Sequence, residues 1–143
     1  MTESLQILIL ALTIWHEARG EGEQGMRLVA DTISNRAKQS KTCLVSVVTM
    51  PAQYECWSNK DPERADIPKQ KSAIEKHNWQ YCLILARLLR RGAYKPATDS
   101  THYWRKDSEM KAWQYEMETV IEHKQHIFAK VSSKTKTTEG VTE

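Results

Sequence analysis

Residues 15–26 organise the chain and read Trp15-His16-Glu17-Ala18-Arg19-Gly20-Glu21-Gly22-Glu23-Gln24-Gly25-Met26. Three of the five glycines and three acidic residues fall between Glu17 and Gly25. Glycine costs backbone entropy wherever it is used, so such a cluster indicates a tight turn or a close approach of two segments. We expect one helix to end here in a functional acid and a second helix to begin. An ordinary connection with solvated glutamates would show the same spacing.

The segment before this turn, from Leu5 to Trp15, is apolar apart from Gln6 and Thr13. Its apolar residues cover nearly all sides of a helix, which predicts a buried, central helix over residues 4–18. Burial and the negative end of the helix dipole should both raise the pKa of Glu17, as a general acid at neutral pH requires. At about 11 residues the run is too short to cross a bilayer, and no basic segment precedes it. We therefore expect neither a signal peptide nor membrane insertion.

The composition is that of one soluble globular domain. The 143 residues are 40% hydrophobic and 27% charged, enough for one core and too few for two. Charge is unevenly spread: residues 1–35 hold five acidic and two basic residues, whereas residues 69–95 hold seven basic and one acidic. This separation suggests a polyanionic partner, either nucleic acid or the bacterial wall. Three cysteines without paired spacing indicate synthesis in a reducing compartment, and leave a Cys43–Cys56 bridge open.

The rest of the chain predicts an α+β fold that is mainly helical. Periodicity predicts helices over residues 24–38, 44–49 and 69–91, with Trp79 and His77 off the apolar stripe of the last helix or at its edge. A β-like run at 101–104 and a small antiparallel hairpin, 117–121 with 126–129, follow near the C-terminus, and Trp113 is expected to point inward. Residues 1–131 form one domain, and residues 132–143, rich in Thr, Ser, Lys and Glu, are predicted to be a disordered tail.

An irregular loop over residues 51–68 is long enough to indicate function. It contains Gln53-Tyr54-Glu55-Cys56-Trp57. Its aromatic side chains suit stacking on sugar rings, and they equally suit anchoring the loop to the core.

Three chemistries compete for the polar residues. A glycosidase would pair Glu17 with Glu21 or Glu23 at about 5–9.5 Å, or use one acid if the substrate supplies its own nucleophile. A zinc-dependent peptidase or amidase would use the histidines, but only His123 and His126 show a fragment of zinc-site spacing. A non-enzymatic nucleic-acid-binding module would use the basic helix, and leaves the acidic turn unexplained. The sequence contains no P-loop, dinucleotide fingerprint or nucleophile-elbow motif.

The stretch from Thr13 to Ser40 resembles the opening motif of the SleB-type cell wall hydrolases, a family of the lysozyme-like superfamily found in spore formers and phages. That motif is an EARGE turn, a glycine, and a helix ending in Asn-Arg. The matching residues are Glu17–Glu21, Gly25 and Asn35-Arg36.

Weaker matches to the family follow at Gln53–Trp57, His102-Tyr103 and His126–Phe128. Tyr54-Glu55 stands where relatives have Phe-Ser. His123-Lys124 stands where they have an apolar residue and Gly.

The resemblance implies a lysozyme-like fold and cleavage of the MurNAc–GlcNAc bond of peptidoglycan, as a lytic transglycosylase or muramidase. In such transglycosylases one glutamate protonates the glycosidic oxygen and then takes the proton of the sugar's 6-hydroxyl, with no metal or cofactor. The catalytic glutamate falls on Glu17. Supporting or substrate-binding roles are expected for Arg19, Glu21, Gln53, Tyr54, Trp57, His102, Tyr103 and His126.

The expected partner is a glycan strand, not nucleic acid, bound by a monomer. A lone catalytic domain without a recognisable signal peptide is typical of a phage endolysin that reaches the wall after holin-type release. The sequence is compatible with an anhydro or a reducing product and with any host wall. It is also compatible with participation of Glu21 or Glu23 in catalysis.

Overall fold

The computed structural model describes residues 1–50 and 54–132 of the protein. The helices are α1 (Glu3–Glu17), α2 (Gly22–Ser40), α3 (Leu44–Thr49) and α4 (Ala73–Arg90). Strands β1 (His102–Arg105), β2 (Met117–His123) and β3 (His126–Val131) form an antiparallel sheet in the order β1-β3-β2. The predicted class, mainly helical with a small antiparallel sheet, is confirmed, and β1 joins the predicted hairpin as a third strand. Apart from Ser132, the predicted tail lies outside the described residues.

Helix α1 forms the centre of the core, because its apolar residues face neighbours on several sides. Ile9, Leu10 and Ile14 are completely buried, and α2, α3 and α4 all pack against the helix. Thr2 caps its first turn by accepting a hydrogen bond from the backbone N–H of Leu5 at 3.1 Å. In the part of the chain that the structure describes, no helix has both the length and the apolar character needed to cross a membrane.

Helix α4 begins at Ala73, later than predicted, because Ser72 caps it by accepting from the N–H of Glu75 at 3.2 Å. The prediction that Trp79 lies off the apolar stripe or at its edge is wrong. Trp79 is only 2% exposed and meets the ring of Trp15 edge-on at 5.8 Å. The helix has more apolar residues than one face can bury, and the large indole is buried while Ile74 stays exposed.

The sheet presents two different faces because side chains alternate along each strand. Tyr103 and Phe128 are cross-strand partners on the face that meets the helices, with their rings 5.2 Å apart. His102 and Trp104 lie on the other face, where Trp113 packs against both rings. The predicted inward position of Trp113 is therefore wrong: it covers the outer face and is 42% exposed.

The three cysteines are free thiols, so the Cys43–Cys56 bridge that the sequence left open is not formed. Burial raises the pKa of Cys56 to about 12, with the carboxylate of Glu17 contributing. Burial likewise raises the pKa of Cys82 to about 12. Because only a thiolate is nucleophilic, neither of these two thiols is suited to attack a substrate at neutral pH.

A buried carboxylate on α2 fixes the segment that joins α4 to β1. Asp31, 1% exposed, accepts hydrogen bonds from the Tyr94 hydroxyl at 2.5 Å and from the Thr98 N–H and hydroxyl at 3.0 and 2.9 Å. The Asn35 side chain donates to two carbonyl oxygens of the same segment, at 2.8 and 2.9 Å. These bonds satisfy the buried polar groups and set where β1 starts, and hence where Tyr103 meets α1.

Replacing Asp31 with Ala should lower the free energy of unfolding by about 3 kcal/mol, because several buried donors lose a charged acceptor. Urea unfolding followed by circular dichroism measures the change. Asp107→Ala is the matched control, since Asp107 is exposed and pairs with Arg105 two residues away. Equal stability losses in the two variants would contradict the role given to Asp31.

Candidate active site

Glu17 is the last residue of α1 and lies half-buried between β1 and the loop around Cys56. One of its carboxylate oxygens accepts a hydrogen bond from the Tyr103 hydroxyl at 2.5 Å. Burial raises the pKa of Glu17, the nearby carboxylate of Glu55 raises it further, and the Tyr103 hydrogen bond and His126 oppose them. The net effect is a raised pKa, which suits a group that must give up a proton near neutral pH.

Tyr103 is the direct partner of this carboxylate and is held by aromatic neighbours. Its ring lies 5.2 Å from Phe128, 6.0 Å from His126 and 6.4 Å from Tyr54. Burial, and then the charge of Glu17, raise the pKa of Tyr103 well above its ordinary value. The phenol therefore stays protonated and remains a hydrogen-bond donor to Glu17.

The loop around Cys56 is anchored to α1 by Trp57. Its indole N–H donates to the Thr13 hydroxyl at 2.8 Å, and that hydroxyl donates to the Ile9 carbonyl at 2.8 Å. Tyr54 is 2% exposed, and burial raises its pKa to about 12. The described contacts of both aromatic residues are thus contacts with the core. Gln53, expected to contact substrate, lies outside the described residues.

Glu21 connects the acidic turn to the β2–β3 hairpin. Its carboxylate accepts from Nδ1 of His126 at 2.6 Å, and both side chains are nearly buried, at 9% and 13% exposed. The Glu21 carbonyl accepts from Nε2 of His123 at 2.8 Å, and the Lys124 ammonium lies 3.4 Å from the Gly20 carbonyl. We call these contacts between Gly20–Glu21 and His123–His126 the hairpin clasp. They hold the sheet against the end of α1.

Gly25 makes the buried position of Glu21 possible. A Cβ atom at residue 25 would lie 2.4 Å from the Cβ of Glu21, too close for two non-bonded carbon atoms, so one of them would have to shift. Gly20 and Gly22 have positive φ angles, +81° and +76°, which L side chains rarely adopt. The glycine cluster thus supplies both the tight turn and the close approach that its composition indicated.

Not every residue expected at the site meets there. Glu17, Glu21, Tyr54, Tyr103 and His126 form one connected group. His102 lies on the opposite face of the sheet, against Trp113, and burial lowers its pKa. The Arg19 guanidinium lies 5.4 Å over the ring of Trp15, beside a separate cleft. The Glu23 carboxylate forms a hydrogen bond with Nε2 of His77 in α4, at 2.5 Å.

Two contributors were not among the residues expected to support Glu17 or to bind substrate. Thr13 holds Trp57, and the sequence signal for it was a hydroxyl inside an otherwise apolar run. His123 is part of the hairpin clasp. Its hydrogen bond to the Glu21 carbonyl joins residues far apart in the chain, so the sequence around His123 does not predict it.

The histidines do not form a metal-ligand cluster. Within residues 1–50 and 54–132, no three His, Cys, Asp or Glu side chains are grouped closely enough to hold a metal ion. His123 and His126, which carry the fragment of zinc-site spacing, both contact Glu21.

Comparisons with known proteins identify the family of the chain. The model of the cell wall hydrolase family matches residues 20–129. The chain belongs to this family. As a cell wall hydrolase it is an enzyme that acts on peptidoglycan, and its resemblance to the SleB type is confirmed. The family match starts at Gly20, three residues after Glu17.

This cell wall hydrolase also shares its fold with a solved structure. The crystal structure of the catalytic domain of the Bacillus cereus SleB protein superimposes with a TM-score of 0.62 at 18% sequence identity. The alignment covers 89% of this chain and 91% of that one. A comparison with curated protein sequences gave no match.

Gly25→Ala should lower the free energy of unfolding by about 1–3 kcal/mol, because the new methyl group collides with Glu21. An ordinary Gly→Ala change inside a helix has the opposite sign, a gain of about 0.5–1 kcal/mol. Thermal unfolding measures the effect, with Gln24→Ala at the exposed neighbouring position as control. A Gly25→Ala protein that is more stable than the parent would refute the close approach.

Tyr103→Phe should raise the pKa of Glu17 further, because the lost hydrogen bond stabilised its charged form. Titration of the ¹³C-labelled carboxyl group by NMR gives this pKa without any assay of activity. Tyr115→Phe serves as control, since Tyr115 is 73% exposed. An unchanged or lower pKa in Tyr103→Phe would show that the phenol does not stabilise the carboxylate.

Proposed function

We propose that this cell wall hydrolase cleaves the MurNAc–GlcNAc glycosidic bond of peptidoglycan with Glu17 as its single acid and base. The observation that carries the proposal is the half-buried Glu17 carboxylate with a raised pKa, hydrogen-bonded to Tyr103 at the junction of helices and sheet. The substrate is a glycan strand lying between the sheet and the loop that Trp57 anchors.

In the first step, protonated Glu17 donates its proton to the glycosidic oxygen as the bond from that oxygen to C1 of MurNAc breaks. The GlcNAc-bearing part leaves as an alcohol, and positive charge develops at C1. The proton is available because burial favours the neutral form of Glu17.

In the second step, the Glu17 carboxylate accepts a proton from the nucleophile that attacks C1. If the 6-hydroxyl of the same MurNAc attacks, the product is a 1,6-anhydro sugar; if water attacks, it is a reducing end. Tyr103 and His126 both favour the charged form of Glu17, so they stabilise the carboxylate that the first step leaves behind. Burial thus favours the protonated Glu17 that the first step needs, and Tyr103 and His126 favour the charged Glu17 that the second step needs.

A single acid is favoured because the other acids of the turn have other partners. Glu21 is paired with His126, and Glu23 with His77. Attack by the sugar's own hydroxyl then removes the need for a second carboxylate, which favours a lytic transglycosylase.

Glu55 is the observation that favours a muramidase as the second candidate. Glu55 is exposed, and its negative charge raises the pKa of Glu17. A carboxylate there has the chemistry to activate water. The phage endolysin role, the holin-type release and the monomeric state stay predictions from the sequence.

Glu17→Gln should reduce turnover at least about a hundredfold, because an amide neither donates nor accepts the transferred proton. Mass spectrometry of the muropeptides released from purified sacculi measures both the rate and the product. Glu63→Gln, an exposed glutamate outside the site, is the control and should keep full activity.

The products separate the candidates. Anhydro-muramic ends indicate the transglycosylase, and reducing ends that disappear in Glu55→Ser indicate the muramidase. Intact glycan with cut peptides would reject the proposal in favour of a peptidase or amidase, as would full activity of Glu17→Gln.

A further inference from the structure

A cleft of about 720 Å³ opens beside the acidic turn, on the side that faces α4. Its floor is apolar and buried, formed by Trp15, Ala18, Met26 and Cys82. Glu17 does not line this cleft, but the lining begins at the next residue, Ala18. The cleft is therefore a separate surface, and its lining starts one residue along the chain from the proposed catalytic glutamate.

The rim of the cleft carries charges of both signs on opposite walls. Arg19 and Lys124 stand on the side of the turn and the hairpin, and Glu75 and Asn78 stand on the α4 wall. Among the described residues, neither Arg19 nor Lys124 has an acidic side chain within salt-bridge distance. The cations thus suit carboxylates of a ligand, while Glu75 and Asn78 offer acceptors for its N–H groups.

Lys124 reaches this rim through an unfavourable backbone conformation. Its φ angle is +50°, in the left-handed region that glycine occupies most easily. The turn places its ammonium 3.4 Å from the Gly20 carbonyl, at the mouth of the cleft. A functional role of the Lys124 side chain would explain why a lysine occupies a position that favours glycine.

We propose that this cleft binds the peptide stem of peptidoglycan while Glu17 acts on the glycan. This inference rests on the proposed function. The stem branches from MurNAc, the sugar whose bond is cut, so it leaves the strand close to Glu17. It combines carboxylates, amide N–H groups and small apolar side chains. These match the cations, the acceptors and the apolar floor of the cleft respectively.

The test compares Lys124→Gly with Lys41→Gly. Both lysines have a left-handed backbone, with φ of +50° and +55°, so both changes relieve the same conformation and remove one positive charge. Lys41 is exposed at the other end of α2 and does not line the cleft. KM is measured for soluble peptidoglycan strands with intact stems and for the same strands stripped of stems by an amidase.

The parent protein should have a lower KM for intact strands than for stripped ones. Lys124→Gly should reduce this preference about threefold to fivefold, as expected for one rim ion pair, and high salt should reduce it likewise. Lys41→Gly should keep it. A parent without any preference, or a Lys124→Gly protein that keeps it, would overturn the proposal, and so would equal losses in both variants.

A binding experiment keeps this outcome separate from that of the proposed function. A synthetic stem pentapeptide is titrated into the Glu17→Gln protein, and NMR shifts are followed at the indole of Trp15. Saturable shifts that weaken in Glu17→Gln/Lys124→Gly support the peptide site even if the cleaved bond proves different. Absent shifts, or shifts unaffected by Lys124, overturn it even if glycan cleavage is established.

Discussion

The pairing of Glu21 with His126 is the interaction on which the arrangement of the site depends. It joins a helical turn near the start of the chain to a hairpin near its end, and both side chains are almost fully buried. Because a buried carboxylate without a partner is costly, this pair specifies one way of docking the sheet on α1 and α2. The close contact at Gly25 leaves Glu21 little freedom to take another position.

Docking the sheet in this way exposes Glu17 to opposing influences on its pKa. The same burial that shields its carboxylate raises its pKa, while Tyr103, brought by β1, stabilises the charged form. A fully buried acid would not release its proton, and a fully solvated acid would not hold it near neutral pH. The intermediate environment is thus a product of packing three elements: α1, β1 and the loop at Cys56.

The two sides of the acidic turn differ in chemistry. On one side the Glu17 carboxylate meets aromatic residues and the sheet; on the other side Arg19 and Lys124 place positive charge at the rim of an apolar cleft. A branched polymer of sugar and peptide presents the same two chemistries at one branch point. The positive net charge of +3 also suits a wall rich in carboxylates.

Local information in the sequence determined the helices, the hairpin, the helix-ending acid and the glycine turn. Apolar periodicity and glycine preferences act within a few residues, and the EARGE motif pointed to Glu17 and the family. Tertiary structure alone decided which side chains meet. The pairing of Glu21 with His126 spans most of the chain, and strand register places Tyr103 inward and His102 outward. The positions of Trp79 and Trp113 differ from the sequence predictions for the same reason: the burial of a large ring depends on the surface it meets, which no local pattern specifies.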